Sequence, residues 1–182
     1  FAAIPGVKVV VPSNPYDAKG LLMSAIQEDN LVVFSEDKTL LGQKGNVPEE
    51  PYTIEIGKAN VTREGDDLTI VAIGKMVAVA EETAEKLAED QVSVEVIDLR
   101  SVSPWDQETV LDSVKKTGRL IVIDESNPQC NIAGDVASVI GDVGFDYLDG
   151  PIKKVTAPDT PVPFAANLEA AYMPNTDKVL DI

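Results

Sequence analysis

Two hydrophobic rhythms alternate through the middle of the chain. Leu68–Ile73, Val92–Leu99 and Leu120–Ile123 carry nearly unbroken apolar runs, LTIVAI, VSVEVI and LIVI, the pattern of strands covered on both faces. Between them the period lengthens to that of a helix. Val77, Ala80, Ala84, Leu87 and Ala88 fall on one side, with Glu81, Glu82, Glu85 and Lys86 on the other, which predicts an amphipathic helix over Val77–Ala88. Val110, Leu111 and Val114 give a second apolar stripe over Gln107–Lys116. Its ends are marked by Asp106 as N-cap after Pro104, by Lys115 and Lys116 in the last turn, and by Gly118 as a left-handed stop. Strand, helix, strand, helix, strand predicts an α/β fold whose mainly parallel sheet has helices packed on its faces through right-handed crossovers.

The N-terminal stretch repeats the pattern on a smaller scale. A strand at Val7–Val11 is followed by PYDAKGLLMSAIQE and then LVVFS. Asn14 suits an N-cap, Pro15 the first helical position, and Ala18, Leu21, Leu22, Ala25 and Ile26 form a stripe. Two parallel strands and one helix leave sheet edges and an apolar face uncovered. Residues 1 to about 36 are therefore expected to be the end of a domain that begins upstream. Residues 37–52, with Gly42, Gly45, Pro48 and Pro51, have a linker's composition, and a second domain is expected over 53–182.

Within that domain, Ile54–Arg63 alternates weakly before the turn residues Glu64-Gly65-Asp66-Asp67, which predicts a strand antiparallel to the next one and a mixed sheet. Beyond the loop Asp124–Pro128, Ile132, Val136, Val139 and Ile140 predict a helix that the segment Gly141–Gly150 breaks. A last strand is expected at Ile152–Thr156, then a proline-rich stretch to Pro163 and short helical pieces at Leu168–Tyr172 and Thr176–Ile182. There is no internal repeat.

Charge narrows the functional classes. Fifteen Lys and Arg stand against thirty-one Asp and Glu, a net charge of -16, which argues against nucleic acid or an anionic membrane as partner and suits a basic protein. The chain has no histidine, so serine or cysteine triads and histidine zinc sites are excluded on it. Cys130 stands alone; it allows no internal disulfide and has no histidine to activate it, so a structural role is expected. No secretory leader or membrane-length apolar run appears in the sequence, and a cytoplasmic location is expected. No glycine-rich phosphate loop or calcium-loop spacing is present. Parallel sheets bind ligands beyond the carboxyl ends of their strands, which singles out Asp98, Arg100, Asp124 and Glu125. Trp105 is read as a packing residue.

Longer runs carry a resemblance. IPGVKVVVPSNPYDAKGLLMSAIQEDNLVVF resembles the end of the pyrimidine-binding domain in the beta subunit of thiamin-diphosphate-dependent 2-oxo acid dehydrogenase components. IGKANVTREGDDLTIVAIG, VEVIDLRSVSPWD, VKKTGRLIVIDE and VTAPDTPVPF are similar to that subunit's transketolase-type C-terminal domain. The resemblance covers the whole chain in order and extends to pyruvate, branched-chain and acetoin dehydrogenases, VTAPDTPVPF being most like the acetoin and bacterial pyruvate forms. It implies a three-layer α/β/α sandwich preceded by the last βαβ unit of a pyrimidine-binding domain.

By the same resemblance, the beta subunit would pair with an alpha subunit as a heterotetramer with contact between beta subunits. Thiamin diphosphate and magnesium would lie outside this chain, as would the catalytic residues, so that it would not turn over substrate alone. Potassium would be held at positions matching Ala25, Ile26, Glu28 and Asn30, where carbonyls at a helix end lack intrahelical partners. The basic peripheral subunit-binding domain of a lipoyl acyltransferase would dock at a position matching Asp149. Two alternatives stay open: another thiamin-diphosphate enzyme of transketolase type, and a stand-alone interaction module.

Overall fold

The computed structural model describes residues 1–182. An N-terminal unit comprises β1 (Lys8–Val10), α1 (Pro15–Gln27) and β2 (Val32–Phe34). It is followed by β3 (Asn60–Arg63), β4 (Leu68–Ala72), α2 (Met76–Glu89), β5 (Val94–Asp98), β6 (Ser101–Ser103), α3 (Gln107–Thr117), β7 (Leu120–Asp124), α4 (Ile132–Val143), β8 (Lys153–Thr156), α5 (Ala166–Tyr172) and α6 (Thr176–Leu180).

The larger sheet has the order β3-β5-β4-β7-β8. All its pairings are parallel except that of β3 with β5. The unbroken apolar runs are explained by its two faces. Val71, Ile97, Leu99 and Val122 meet Val110 and Val114 of α3 and Ile132, Val136 and Ile140 of α4. Ile70, Ala72, Val96 and Ile123 meet Met76, Val77, Ala80 and Ala84 of α2 and Val179 of α6. The result is the expected α/β/α sandwich, with Trp105 inside the first of these cores.

β3 pairs with β5 and not, as its place in the chain suggested, with the neighbouring β4. Glu64–Asp67 is no hairpin turn: it carries the chain across the start of β5, where Asp67 N–H donates to the Ser93 carbonyl at 2.8 Å. Gly65 permits that crossing, because a Cβ there would lie 2.1 Å from the Val94 carbonyl carbon.

The smaller sheet, β2-β1-β6, holds a strand that gave no signal in the sequence. Ser101–Ser103 is too short and polar to show an alternation, yet it pairs antiparallel with β1, Val10 opposite Ser101 and Val9 opposite Ser103. The two units thus share a sheet. Residues 48–54 also lie against α1 as a strap. Tyr52 stacks on Tyr16 with ring centroids 4.6 Å apart, and Lys19 Nζ donates to the carbonyls of Pro48, Glu49 and Glu50. Gly20 makes room for the Tyr52 and Ile54 side chains. The caps expected at Asn14 and Asp106 are formed, each side-chain oxygen accepting the N–H three residues on, and Gly118 ends α3 at φ 68°. The α1 stripe is only partly inward: Leu21 is buried, whereas Leu22 and Ile26 are 45% and 71% exposed.

Candidate functional site

The four polar residues singled out at strand ends form two separate clusters. Asp98 closes β5 with no exposure. Its carboxylate accepts the Ser13 hydroxyl, from the turn between β1 and α1, and the Arg100 N–H at 2.9 Å. The turn puts Arg100 at φ 58° and sends its guanidinium to Asp17 of α1, Nη2 to Oδ1 2.6 Å. Asp17 is also buried, and Asn14 Nδ2 donates to its other oxygen at 2.8 Å. Burial pushes the Asp98 carboxyl up to about 6; the Ser13 and Arg100 donors oppose this, and the Asp17 charge adds to it.

The second cluster lines a crevice of about 510 Å³ beyond the ends of β4 and β7, walled by Glu36, Asp37, Lys75, Asp124, Glu125 and Asn131 among others. Lys75, on the turn into α2, bridges the units: its Nζ is 3.3 Å from Asp37 Oδ2 and 2.8 Å from Glu125 Oε2. Burial works against the Lys75 charge, but contact with Glu125 and Asp37 outweighs it and raises the ammonium above its ordinary range. Asp124 is committed to the loop, accepting the Ser126 N–H at 2.9 Å. Sequence reasoning missed Ser13, Asp17, Asp37 and Lys75. Ser13 and Asp17 flank the N-cap Asn14, and their partners Asp98 and Arg100 are more than eighty positions away.

At the end of α1, no backbone N–H donates to the carbonyls of Ala25 or Ile26. The Glu28 carboxylate is taken by Lys8, with Asn30 Nδ2 at 3.2 Å from its other oxygen. The Lys8 bond, then that of Asn30, holds the Glu28 carboxyl below its usual range. Asp149 lies far from this, exposed, its N–H donating to the Gly118 carbonyl at 2.7 Å. Beside it, the turn after α4 exposes Phe145 and Tyr147. Cys130 is exposed on the loop before α4 at φ 51°, on the rim of an open cleft of about 710 Å³. No three His, Cys, Asp or Glu side chains converge as a metal site, and no helix is long and apolar enough to cross a membrane.

Comparison with known proteins gives matches over both units. Residues 57–179 match the family described as transketolase, C-terminal domain, and residues 1–44 match transketolase, pyrimidine binding domain. The acetoin:2,6-dichlorophenolindophenol oxidoreductase subunit beta of Bacillus subtilis is 54% identical over 182 residues, 100% of this chain and 53% of the relative. The pyruvate dehydrogenase E1 component subunit beta of the same organism is 49% identical, covering 97% of this chain and 54% of the relative. Its 2-oxoisovalerate dehydrogenase subunit beta is 42% identical, covering 98% and 55%. Among solved structures, a split-gene transketolase described as an inactive beta4 tetramer superposes with a TM-score of 0.83 at 25% identity, over 99% of this chain and 57% of that one. The chain spans about half the length of the curated relatives it matches.

Proposed function

The chain belongs to the transketolase C-terminal-domain family, and from that premise we propose that it is the carboxyl-terminal part of the beta subunit of a thiamin-diphosphate-dependent acetoin or 2-oxo acid dehydrogenase. The observation that carries this is the unbroken identity of 42–54% to three such beta subunits through both units and the strap between them. Acetoin is the preferred substrate class, since the 54% relative acts on acetoin by its name.

Within the proposed enzyme this portion serves assembly and docking. The crevice between its units is lined by Glu36, Asp37, Asp124 and Glu125 against one Lys75, a donor set that repels a pyrophosphate. Thiamin diphosphate and magnesium would be held upstream and on an alpha subunit. Bound there, thiamin diphosphate would supply carbanion chemistry next to a carbonyl. Potassium at the end of α1 is supported by two open carbonyls. The carbonyls of Ala25 and Ile26 present partial negative charge without a backbone donor, and Glu28 and Asn30 follow them where the chain leaves the helix. In the full-length subunit, potassium is expected to raise the melting temperature where an equal concentration of sodium does not; equal melting points would remove the site.

Asp149, with exposed Phe145 and Tyr147 beside it, suits a basic partner that also carries apolar contacts, such as a peripheral subunit-binding domain. Asp149→Ala should weaken that complex about tenfold and steepen nothing else; unchanged affinity would remove the role. The reading as a whole is tested by producing the full-length gene product with its neighbouring alpha-type subunit and following dye reduction. Acetoin-dependent reduction that requires both subunits and thiamin diphosphate is expected. Activity of the full-length chain without an alpha subunit would favour a single-chain transketolase-type enzyme instead.

A further inference from the structure

The units are joined by one strand pairing, β1 with β6, and the chain reaches it through a turn of unusual construction. Asp98 ends the large sheet, and three residues later Ser101 begins the small one. Val11 N–H donates to the Arg100 carbonyl at 2.8 Å, extending the pairing into the turn itself. The side chains of the turn then fasten both sides of α1's start, Asp98 through Ser13 and Arg100 through Asp17. Two carboxylates that are 0% and 1% exposed are therefore gathered at one turn with a single guanidinium, which contacts Asp17 alone. That guanidinium is spent on Asp17, and its Nε has no partner. The strands flanking Asp98 bring no further charge: its register partners are Asn60 on β3 and Ala72 on β4.

We propose that the turn Asp98–Ser101 is a proton-sensitive lock between the two sheets: the buried cluster is one positive charge short, and a proton on Asp98 completes it and holds β6 against β1. The raised carboxyl of Asp98, about 6 against 3.8 in water, accords with this. A proton bound more tightly in the closed form stabilises closure fully below the open-state value of 3.8. That contribution is lost as pH rises through about 6. Opening of the turn should accordingly become about 50-fold more frequent between pH 4 and pH 7, as linkage requires for a carboxyl at about 6 closed and 3.8 open.

The test is amide hydrogen exchange in the full-length subunit with its partners bound, each rate divided by the intrinsic rate at that pH. The Val11 amide reports the lock, and the Ile70 amide in the centre of the large sheet is the reference. Expected is a rise of about 50-fold in normalised Val11 exchange across this range with Ile70 unchanged, and a flat profile in Asp98→Asn, which is neutral at every pH. A flat wild-type profile, a rise that persists in Asp98→Asn, or a parallel rise at Ile70 would each overturn the lock. Should Asp98→Asn fail to fold, Ser13→Ala serves: it removes a donor that favours the carboxylate, so the midpoint must move to higher pH. An unmoved midpoint overturns the proposal equally.

Discussion

The sandwich and the N-terminal unit are built from the same kinds of sequence, yet they bury very different amounts of it. β4, β5 and β7 are covered on both faces by cores of 13 and 12 buried residues. The N-terminal unit buries Val9, Val10 and Leu21 and exposes Leu22, Ile26 and Leu31. Helical periodicity states which residues share a face; it does not state that this chain supplies the cover. The same rule that found the buried faces of α2, α3 and α4 found a face on α1 that this chain leaves mostly bare. By the proposed function, the upstream part of the beta subunit covers it.

The largest effect is expected at the centre of the sandwich. Ile97 has no exposure, and Ile97→Ala should cost about 4 kcal/mol in urea denaturation of the full-length subunit, from lost burial and the cavity left behind. A cost under about 1 kcal/mol would mean that the sheet is not packed on both faces.

A pair of glycines sharpens the contrast. A Cβ on Gly65 would meet backbone of Val94 and Glu95 at 2.1–2.5 Å, whereas one on Gly20 would meet side-chain atoms of Ile54 and Tyr52 at 2.6–2.8 Å. Backbone in a sheet cannot yield, so Gly65→Ala should destabilise by about 3 kcal/mol and displace β3 from β5. The strap over α1 can shift, and Ala is the better helix former, so Gly20→Ala should change stability by about 1 kcal/mol at most. Its readout is local: proteolysis between residues 43 and 52 should quicken while melting is nearly unchanged. Equal effects from the two substitutions would mean that the strap is as rigid as the sheet.

Most of the sandwich was legible because burial on two faces leaves unbroken apolar strands and because capping residues are local signals. Asn14, Asp106 and Gly118 could be placed from their neighbours alone. What stayed hidden depends on distant partners. Ser101–Ser103 becomes a strand only because β1 offers it an edge, and the pairing of β3 rests on a glycine crossing that resembles an ordinary turn. In the candidate sites, Asp98 and Arg100 were visible at a strand end, but their partners Ser13 and Asp17 are more than eighty residues away. Lys75 gave no periodic signal, lying on a turn between Asp37 and Glu125. The positions Ala25, Ile26, Glu28, Asn30 and Asp149 came from resemblance, since a helix end and an Asp-Gly-Pro turn carry no chemistry of their own.

The most direct measurement asks whether the bare face of α1 is an interface in the natural protein. In the full-length subunit assembled with its partner, Ile26→Cys is labelled with a maleimide and the modified peptide followed by mass spectrometry, native and in denaturant. Labelling at least about tenfold slower in the native assembly is expected if a residue 71% exposed here is covered there. Equally fast labelling in both states would contradict it, leaving α1 facing water and the N-terminal unit no part of a larger domain.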